Sequence, residues 1–354
     1  MDEEPVRGGF ADPSLLALGG LDRIRAGVAG HAPNAPIHHL FGLDLVAVGP
    51  ASATCAVPAS PWLCSDAGVF HSGAVALAAD AALAFSIQAT LGPGAVVATS
   101  DLSFNFLRPA SPASRRLICR ARPIDVGDSL GLAEATVEDG SGRLLAHATT
   151  RCFVVRFPVP PIPDPLPAPT DAVYPTPDPH ERPAPMPGAA GWGRRSIAAV
   201  MAAKRRGELR LAPCSELLGA FDPAAHDGTA GLSVHASPWL AGPSGTLYGG
   251  VLALLLDIVM TGAASTTHPS QAICSPLDLK VQFVRPVWPD GRPLRATGRV
   301  VHHGKRFATA GGRIVDGDGT VVALAMSSFV VVGGRTWANL TIADDASPEV
   351  APRP

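Results

Sequence analysis

Two long apolar runs dominate the pattern of hydrophobic and polar positions along this 354-residue chain. They cover residues 73–91 and 250–265, and in both the apolar side chains occupy nearly every face of the helix that such a run would form. Because a helix that is apolar all round is normally buried, the pattern predicts two central helices in the core. Each run contains one acidic residue, Asp80 in the first and Asp257 in the second.

Runs typical of β-strands surround each predicted central helix. A short helix and two strand-like runs precede it, and three or four β-rich runs follow it. Asp-Gly pairs, at Asp139-Gly140 and Asp316-Gly317, separate the last of these runs and are preferred in tight hairpin turns. The predicted fold class is therefore α+β, with a mostly antiparallel sheet wrapped around one long helix in each half.

The sequence repeats itself at a constant offset. DLSFNFLRP begins at Asp101 and DLKVQFVRP at Asp278, so the offset is 278 − 101 = 177, and ASPWL recurs at Ala59 and Ala236 with the same offset. The match continues without a gap from about residue 57 to residue 146. This regularity indicates an internal duplication.

A proline-rich stretch separates the two halves at residues 156–187. Such a sequence favours extended conformations and cannot build a core, so it predicts a semi-rigid linker over the surface. Together with the repeat, it predicts four regions: a first repeat over residues 14–156, a linker over 157–190, a second repeat over 191–337 and a flexible C-terminal tail over 338–354.

The composition of the chain narrows the classes of molecule that we expect it to bind. The formal net charge of −2 gives no electrostatic reason to expect nucleic acid or an anionic membrane surface, and no apolar run reaches the roughly 20 residues of a membrane span. The six cysteines lie apart without a C-x-x-C pair, so neither a metal site nor a disulfide framework is indicated. The N-terminus lacks the apolar segment of a secretory signal. We therefore expect a cytoplasmic protein that binds a small molecule.

Four features recur in the same order in both halves. The first half contains PIHHLFG, WLCSDAGVFHSG, Asp80 and FLRP, and the second contains PCSELLG, WLAGPSGTLYGG, Asp257 and FVRP. This ordered set resembles the hotdog fold and, within it, the PaaI-like acyl-CoA thioesterases, over about 120 residues in each half. The resemblance implies a double hotdog enzyme that hydrolyses an acyl-CoA thioester to a free acid and coenzyme A. It implies no cofactor beyond the coenzyme A of the substrate.

Thioester hydrolysis needs a carboxylate that acts as general base or nucleophile, and N–H donors that stabilise charge on the carbonyl oxygen. A buried acidic residue fits the first role. Backbone amides at a helix start fit the second, and glycines there let a ligand come close. The resemblance implies that each acidic residue faces the helix start of the other half. One predicted site then combines Asp80 and Thr99 with Gly249 and Gly250, and the other combines Asp257 with Ser65, His71, Ser72 and Gly73.

Departures from the family pattern distinguish these two predicted sites. Ser65 and Gly242 stand where the family has asparagine, and Pro276 stands at the position that Thr99 occupies in the first half. The first site keeps the glycine pair, the acid and a hydroxyl that can orient water, so we expect it to be the more active. Each aspartate also has a purely structural interpretation, as a buried helix carboxylate bonded to a neighbouring hydroxyl or amide.

Further residues are predicted to contact substrate. Three lie near the helix starts: His71, Ser65 and Tyr248. Five basic residues near strand ends are candidates for holding the phosphates of coenzyme A: Arg108, Arg285, His303, Lys305 and Arg306. A solvated strand end is an equal alternative for each basic residue, and a satisfied histidine at a helix start is the alternative for His71.

Two other functions stay open. A hotdog enoyl-CoA hydratase or dehydratase would need a histidine with a carboxylate in a hydration motif such as D-x-x-x-x-H, or the H-F-P-G pattern of acyl-carrier dehydratases, and we expect neither in this chain. A non-catalytic acyl-CoA-binding protein with decayed sites is compatible with the missing asparagines. Pairing of two chains into a homodimer through the outer sheet is open as well.

Overall fold

The computed structural model describes residues 4–168, 174–185, 195–268 and 272–336. The first half contains three helices and six strands: α1 (Gly20–Ala26), α2 (Pro36–Phe41) and α3 (Val75–Gln88), with β1 (Asp44–Gly49), β2 (Ser52–Pro58), β3 (Ala95–Phe106), β4 (Arg116–Val126), β5 (Leu130–Asp139) and β6 (Leu144–Arg156). The second half contains α4 (Ile197–Arg205), α5 (Pro213–Leu217) and α6 (Gly249–Ser265), with β7 (Phe221–His226), β8 (Thr229–His235), β9 (Ala272–Pro276), β10 (Asp278–Phe283), β11 (Pro293–His303), β12 (Phe307–Val315) and β13 (Val321–Thr336).

The structural repeat is longer than the recognisable sequence repeat. Strand β7 begins 221 − 44 = 177 residues after β1, and α4 begins 197 − 20 = 177 residues after α1. The remaining strand pairs keep this offset, with β9 and β10 together standing for the single strand β3. The duplication therefore includes the short helices at the start of each half, where the sequences have diverged.

The strands form one continuous antiparallel sheet. Its order is β1-β2-β4-β5-β6-β3-β10-β13-β12-β11-β8-β7, and β9 pairs with β13. The two halves join where β3 pairs with β10, with Leu102 opposite Val281. The sheet predicted for each repeat therefore forms one part of a single sheet that both repeats share.

The core lies between this sheet and the two central helices, which pack against each other. In α3 and α6 nearly every residue is buried, including both acidic residues. This confirms the prediction of two buried central helices. Among the helices of the described ranges, none combines the length and the hydropathy that crossing a membrane would need.

The proline-rich region includes a segment, residues 174–185, that is bound to the first repeat. Arg7 forms an ion pair with Asp178, and Arg182 forms one with Glu4. The indole N–H of Trp62 donates to the carbonyl of Arg182 at 2.8 Å. We call residues 174–185 the strap. The predicted boundaries of the linker stay a prediction, and the predicted tail at 338–354 lies outside the described residues.

Candidate active site

The two central helices meet so that the start of each lies against the acidic residue of the other. The backbone N–H of Gly250, at the start of α6, donates to Oδ2 of Asp80 at 3.0 Å. The N–H of Gly73, in a 3-10 turn just before α3, donates to Oδ2 of Asp257 at 2.9 Å. The structure therefore brings the residues of both predicted sites together across the boundary between the repeats.

Asp80, in the first site, accepts hydrogen bonds on both carboxylate oxygens. Besides the Gly250 amide, the hydroxyl of Thr99 on β3 donates to Oδ1 at 3.0 Å. Asp80 is 4% exposed. Burial raises the pKa of Asp80 to about 6, although the hydrogen bonds from Thr99 and Gly250 act to lower it. Near neutral pH this carboxylate is therefore poised to accept a proton.

The N–H of Gly249 is an open donor beside Asp80. The amides around it are engaged: Tyr248 donates to the carbonyl of Leu240, Gly250 to Asp80, and Val251 to the carbonyl of Tyr248. Among the described residues the Gly249 N–H has no acceptor. A Cβ at this half-buried glycine would lie 2.8 Å from Oδ2 of Asp80. A carbonyl oxygen bound to this amide would thus lie next to the carboxylate.

Asp257, in the second site, is fully buried, and among the described residues only its Oδ2 accepts a well-formed hydrogen bond. Its Oδ1 has no well-formed hydrogen bond within the described part of the chain, and neither has the hydroxyl of Thr261 one turn later, although that hydroxyl lies near enough to the carboxylate to act on its pKa. Burial raises the pKa of Asp257 to about 6, although the Gly73 amide, the Thr261 hydroxyl and the Ser72 amide act to lower it. The Nδ1 of His71 lies 3.8 Å from Oδ2. Burial, helped by the charge of Lys204, lowers the pKa of His71 to about 4, so this histidine is neutral at pH 7.

Two of the site glycines serve the contact between helices. A Cβ on Gly250 would lie 2.7 Å from the carbonyl oxygen of Ala76, and one on Gly73 would lie 2.8 Å from the Cβ of Asp257. The expectation that these glycines give a ligand room is therefore wrong for Gly73 and Gly250. A Cβ on Gly249 would lie 2.8 Å from Oδ2 of Asp80 and 3.1 Å from the ring of Phe283, and the expectation that this glycine gives a ligand room stays a prediction.

Two predicted substrate contacts use their hydroxyl groups elsewhere. The Tyr248 hydroxyl donates to the carbonyl of Leu77 at 2.6 Å and accepts from the amide of Ala81 at 2.8 Å. This buried tyrosine fastens the start of α6 to α3, which corrects its predicted contact with substrate. The hydroxyl of Ser65 donates to the carbonyl of Val69 at 2.8 Å and so holds its own loop.

The structure scatters the five basic residues predicted to hold coenzyme A phosphates. Arg285 follows β10, and the ring of Phe283 at the end of that strand lies beside Gly249 in the first site. Arg108 is exposed and donates to the carbonyl of Leu144.

The other three basic residues, His303, Lys305 and Arg306, are exposed on the β11–β12 hairpin. This hairpin contacts His268, beyond the C-terminal end of α6. The 17 residues of α6 separate it from the first site by about 25 Å. These three residues therefore lie far from Asp80, and their predicted contact with coenzyme A phosphates stays a prediction.

Sequence reasoning missed three residues around the second site: Thr261, Asp66 and Lys204. Thr261 lies four residues after Asp257, a spacing that places both on one helix face. Asp66 lies five residues before His71, which is the D-x-x-x-x-H spacing of a hydration motif. Both carboxylate oxygens of Asp66, however, accept from the Lys204 ammonium group, at 2.7 and 2.6 Å. The carboxylate beside His71 is Asp257 instead.

The described residues contain no group of three or more histidine, cysteine, aspartate or glutamate side chains arranged to hold a metal ion. The six cysteines are buried free thiols.

Comparison with known families finds a match in each repeat. The sequence model of the thioesterase superfamily matches residues 67–146 and 244–323. The two matches are offset by 244 − 67 = 177 residues, the offset of the repeat. No curated protein matches the sequence.

Comparison with solved structures shows the fold over more than 80% of the chain. The tesB protein of Mycobacterium avium subspecies paratuberculosis is 13% identical, with 84% of this chain and 98% of that chain covered and a TM-score of 0.52. A proposed thioesterase from Novosphingobium aromaticivorans is 18% identical, with coverages of 82% and 98% and a TM-score of 0.52. The Escherichia coli PaaI protein from the phenylacetic acid degradation operon is 22% identical, with coverages of 39% and 98% and a TM-score of 0.35.

Proposed function

We propose that this chain, a tandem hotdog-fold protein whose two repeats belong to the thioesterase superfamily, hydrolyses an acyl-CoA thioester to a free acid and coenzyme A. The observation that supports this most directly is the pairing of Asp80 with the open N–H of Gly249. It places a carboxylate and a hydrogen-bond donor side by side, which is what acyl transfer to water requires.

Asp80 supplies the reactive carboxylate in this proposal. Acting as general base it takes a proton from water as the water oxygen attacks the carbonyl carbon. Acting as nucleophile it attacks that carbon itself, and once the thiolate has left, water hydrolyses the resulting acyl anhydride to release the acid and restore the carboxylate. In both routes the carbon–sulfur bond breaks and the departing thiolate of coenzyme A takes up a proton. Thr99 is a positioning residue, because its hydroxyl holds Oδ1 while Gly250 holds Oδ2.

Gly249 stabilises the charge that develops on the carbonyl oxygen. Its N–H lies at the start of a 17-residue helix, where the unpaired amides and the helix dipole favour negative charge. Asp80 beside it is almost fully buried, and such low-dielectric surroundings strengthen electrostatic interactions. Arg285 follows the strand that borders this site, which favours it over the distant hairpin as a contact for coenzyme A.

The test is a panel of acyl-CoA substrates with detection of the released thiol. We expect Asp80→Asn to lower kcat at least about 100-fold, with an unchanged circular dichroism spectrum, and Asp257→Asn to have a smaller effect. Parental activity in both variants would refute the assignment. Binding of acyl-CoA without thiol release would favour a non-catalytic binding protein. Loss of the enoyl absorbance of crotonyl-CoA without thiol release would favour a hydratase.

A further inference from the structure

A cavity of about 110 Å³ lies beside the second site, between α4 and α6. Most of its wall is apolar, formed by Ile197, Met201, Leu211, Phe221, Ile258 and Val259. His71 and Thr261 contribute polar groups to the same wall. The cavity therefore connects an apolar compartment to the side chains that surround Asp257.

Two buried polar atoms on one face of α6 lack a well-formed hydrogen bond among the described residues, although the hydroxyl acts on the carboxylate beside it. They are Oδ1 of Asp257 and the hydroxyl oxygen of Thr261. A buried polar atom without a hydrogen bond costs about 1–3 kcal/mol, so folded proteins seldom leave two of them together. A ligand with a polar group that hydrogen-bonds to Thr261 and an apolar group that fills the cavity would match both the polar and the apolar part of this site.

The matching positions of the first repeat are filled with larger side chains. At the offset of 177, Phe85 corresponds to Gly262 and Gln88 corresponds to Ser265, and the second-repeat residues both line the cavity. In the first repeat a Cβ on Gly20 would lie 1.8 Å from the carbonyl oxygen of Gln88, so α1 is packed directly onto the end of α3. The cavity is thus a feature in which the two repeats differ.

The wall formed by α4 is anchored to the other repeat. The Lys204 ammonium group lies 2.6 Å from Asp66, and both side chains are largely buried. Asp66 belongs to the loop that leads to His71. Because a paired buried charge is costly to separate, this contact holds α4 against the second site and gives the cavity a fixed depth.

We propose that this cavity binds the acyl group of a short-chain acyl-CoA, with the thioester next to His71 and Thr261, two of the second-site residues that line it. The proposal rests on the proposed function and adds the substrate class of the second site. An apolar cavity of 150 Å³ holds benzene, with six carbons, so a cavity of about 110 Å³ accommodates an acyl group of about four carbons. The second repeat thereby keeps a size-selective acyl site, although Pro276 replaces the strand hydroxyl.

The test measures binding of S-alkyl-coenzyme A thioethers with two to ten alkyl carbons by calorimetry. These probes have no carbonyl group and cannot be hydrolysed. In the parent we expect affinity to rise about fourfold with each methylene up to about four carbons, and then to level off or fall. Met201→Trp should abolish this rise and weaken S-butyl-coenzyme A about tenfold, whereas Met201→Ala should extend the rise by one or two carbons.

Ala199→Trp is the matched control, because it places the same side chain on the exposed face of α4. It should bind every probe as the parent does. If Met201→Trp does not fold, Gly262→Phe blocks the same cavity with the residue that the first repeat carries. Affinity that rises steadily through ten carbons, or that ignores both blocking variants, overturns the proposal. Failure to hydrolyse any acyl-CoA would refute the proposed function alone, since the thioether affinities do not depend on turnover.

Discussion

The reactivity of Asp80 depends on two opposing effects on one side chain. Burial raises its pKa to about 6, and the hydrogen bonds from Thr99 and Gly250 oppose that rise. A higher pKa would leave the group protonated at neutral pH, and a lower one would make it a weaker base. The Thr99 hydroxyl is the member of this set that substitution can remove without altering the backbone.

Removing the Thr99 hydroxyl should shift the pH dependence of hydrolysis. The reactive form of Asp80 is deprotonated, so kcat/KM should rise with pH and reach half its maximum near pH 6 in the parent. Thr99→Val removes a hydrogen bond that lowers the pKa, so this midpoint should move upward by about one pH unit. Rates measured from pH 5 to 8 with one acyl-CoA test this.

Thr99→Ser is the control for this prediction. It keeps the hydroxyl that donates to Asp80, so its midpoint should stay with that of the parent. A Thr99→Val profile with an unchanged or lower midpoint would show that the hydroxyl does not act on the Asp80 carboxylate.

Residue type and position predicted the pairing of Asp80 with Thr99 and Gly250, because the family resemblance specified which half faces which. The same reasoning failed for Tyr248. A tyrosine at a helix start can turn its hydroxyl toward a ligand or toward a neighbouring backbone, and the choice depends on the distance between two helices. The structure shows the second arrangement, with Leu77 and Ala81 as partners.

At the scale of elements, the close approach of α3 and α6 sets the geometry of both sites. The all-round apolar pattern was sufficient to predict that both helices are buried. The pattern does not determine the distance between the two helices. That distance is fixed by glycines whose missing side chains leave room for the opposite backbone, as at Gly250 and Ala76.

Adding one methyl group at this contact should destabilise the protein. In Gly250→Ala the new Cβ would lie 2.7 Å from the Ala76 carbonyl oxygen, so the helices must separate. We expect the free energy of unfolding to fall by about 1–3 kcal/mol, and hydrolysis to fall with it because the Asp80 contact lengthens. Urea denaturation and thiol release measure the two effects.

Gly27→Ala tests whether this loss comes from the contact or from the substitution itself. Gly27 has helical φ and ψ of −59° and −47°, and its nearest neighbour would be 4.0 Å from the new Cβ. Alanine should be neutral or stabilise there by up to about 1 kcal/mol. Equal stability of Gly250→Ala and the parent would refute the steric argument.

At the scale of the whole molecule, the two repeats act as one unit because they share a sheet and exchange hydrogen bonds at both sites. The 177-residue repeat predicted the duplication from sequence, but the joining of β3 to β10 is a long-range pairing that local patterns do not encode. The pattern of hydrophobic and polar positions likewise does not predict the cavity beside α4. This cavity arises because Gly262 and Ser265 are small where the first repeat has Phe85 and Gln88.

The strap adds a third connection, between the N-terminal segment and the chain that links the repeats. Glu4 forms ion pairs with Arg7 and Arg182, each at 2.7 Å. The hydrogen bond from Arg182 is the largest effect on Glu4, and its pKa is lowered from 4.5 to about 2. A proline-rich composition predicts extended backbone, whereas the position of that backbone is determined by these charges.

The lowered pKa of Glu4 predicts a stability difference that depends on pH. Because the folded state holds Glu4 deprotonated below its ordinary pKa, its contribution is complete above pH 4.5 and is lost as the pH falls toward 2. Glu4→Gln should therefore lower the Tm at pH 7, and the difference from the parent should shrink between pH 4.5 and 3. Glu208→Gln removes an exposed pair with Arg206 and should leave the Tm unchanged throughout. A Glu4→Gln difference that is absent at pH 7, or that is as large at pH 3, would show that charge does not hold the strap on the N-terminal segment.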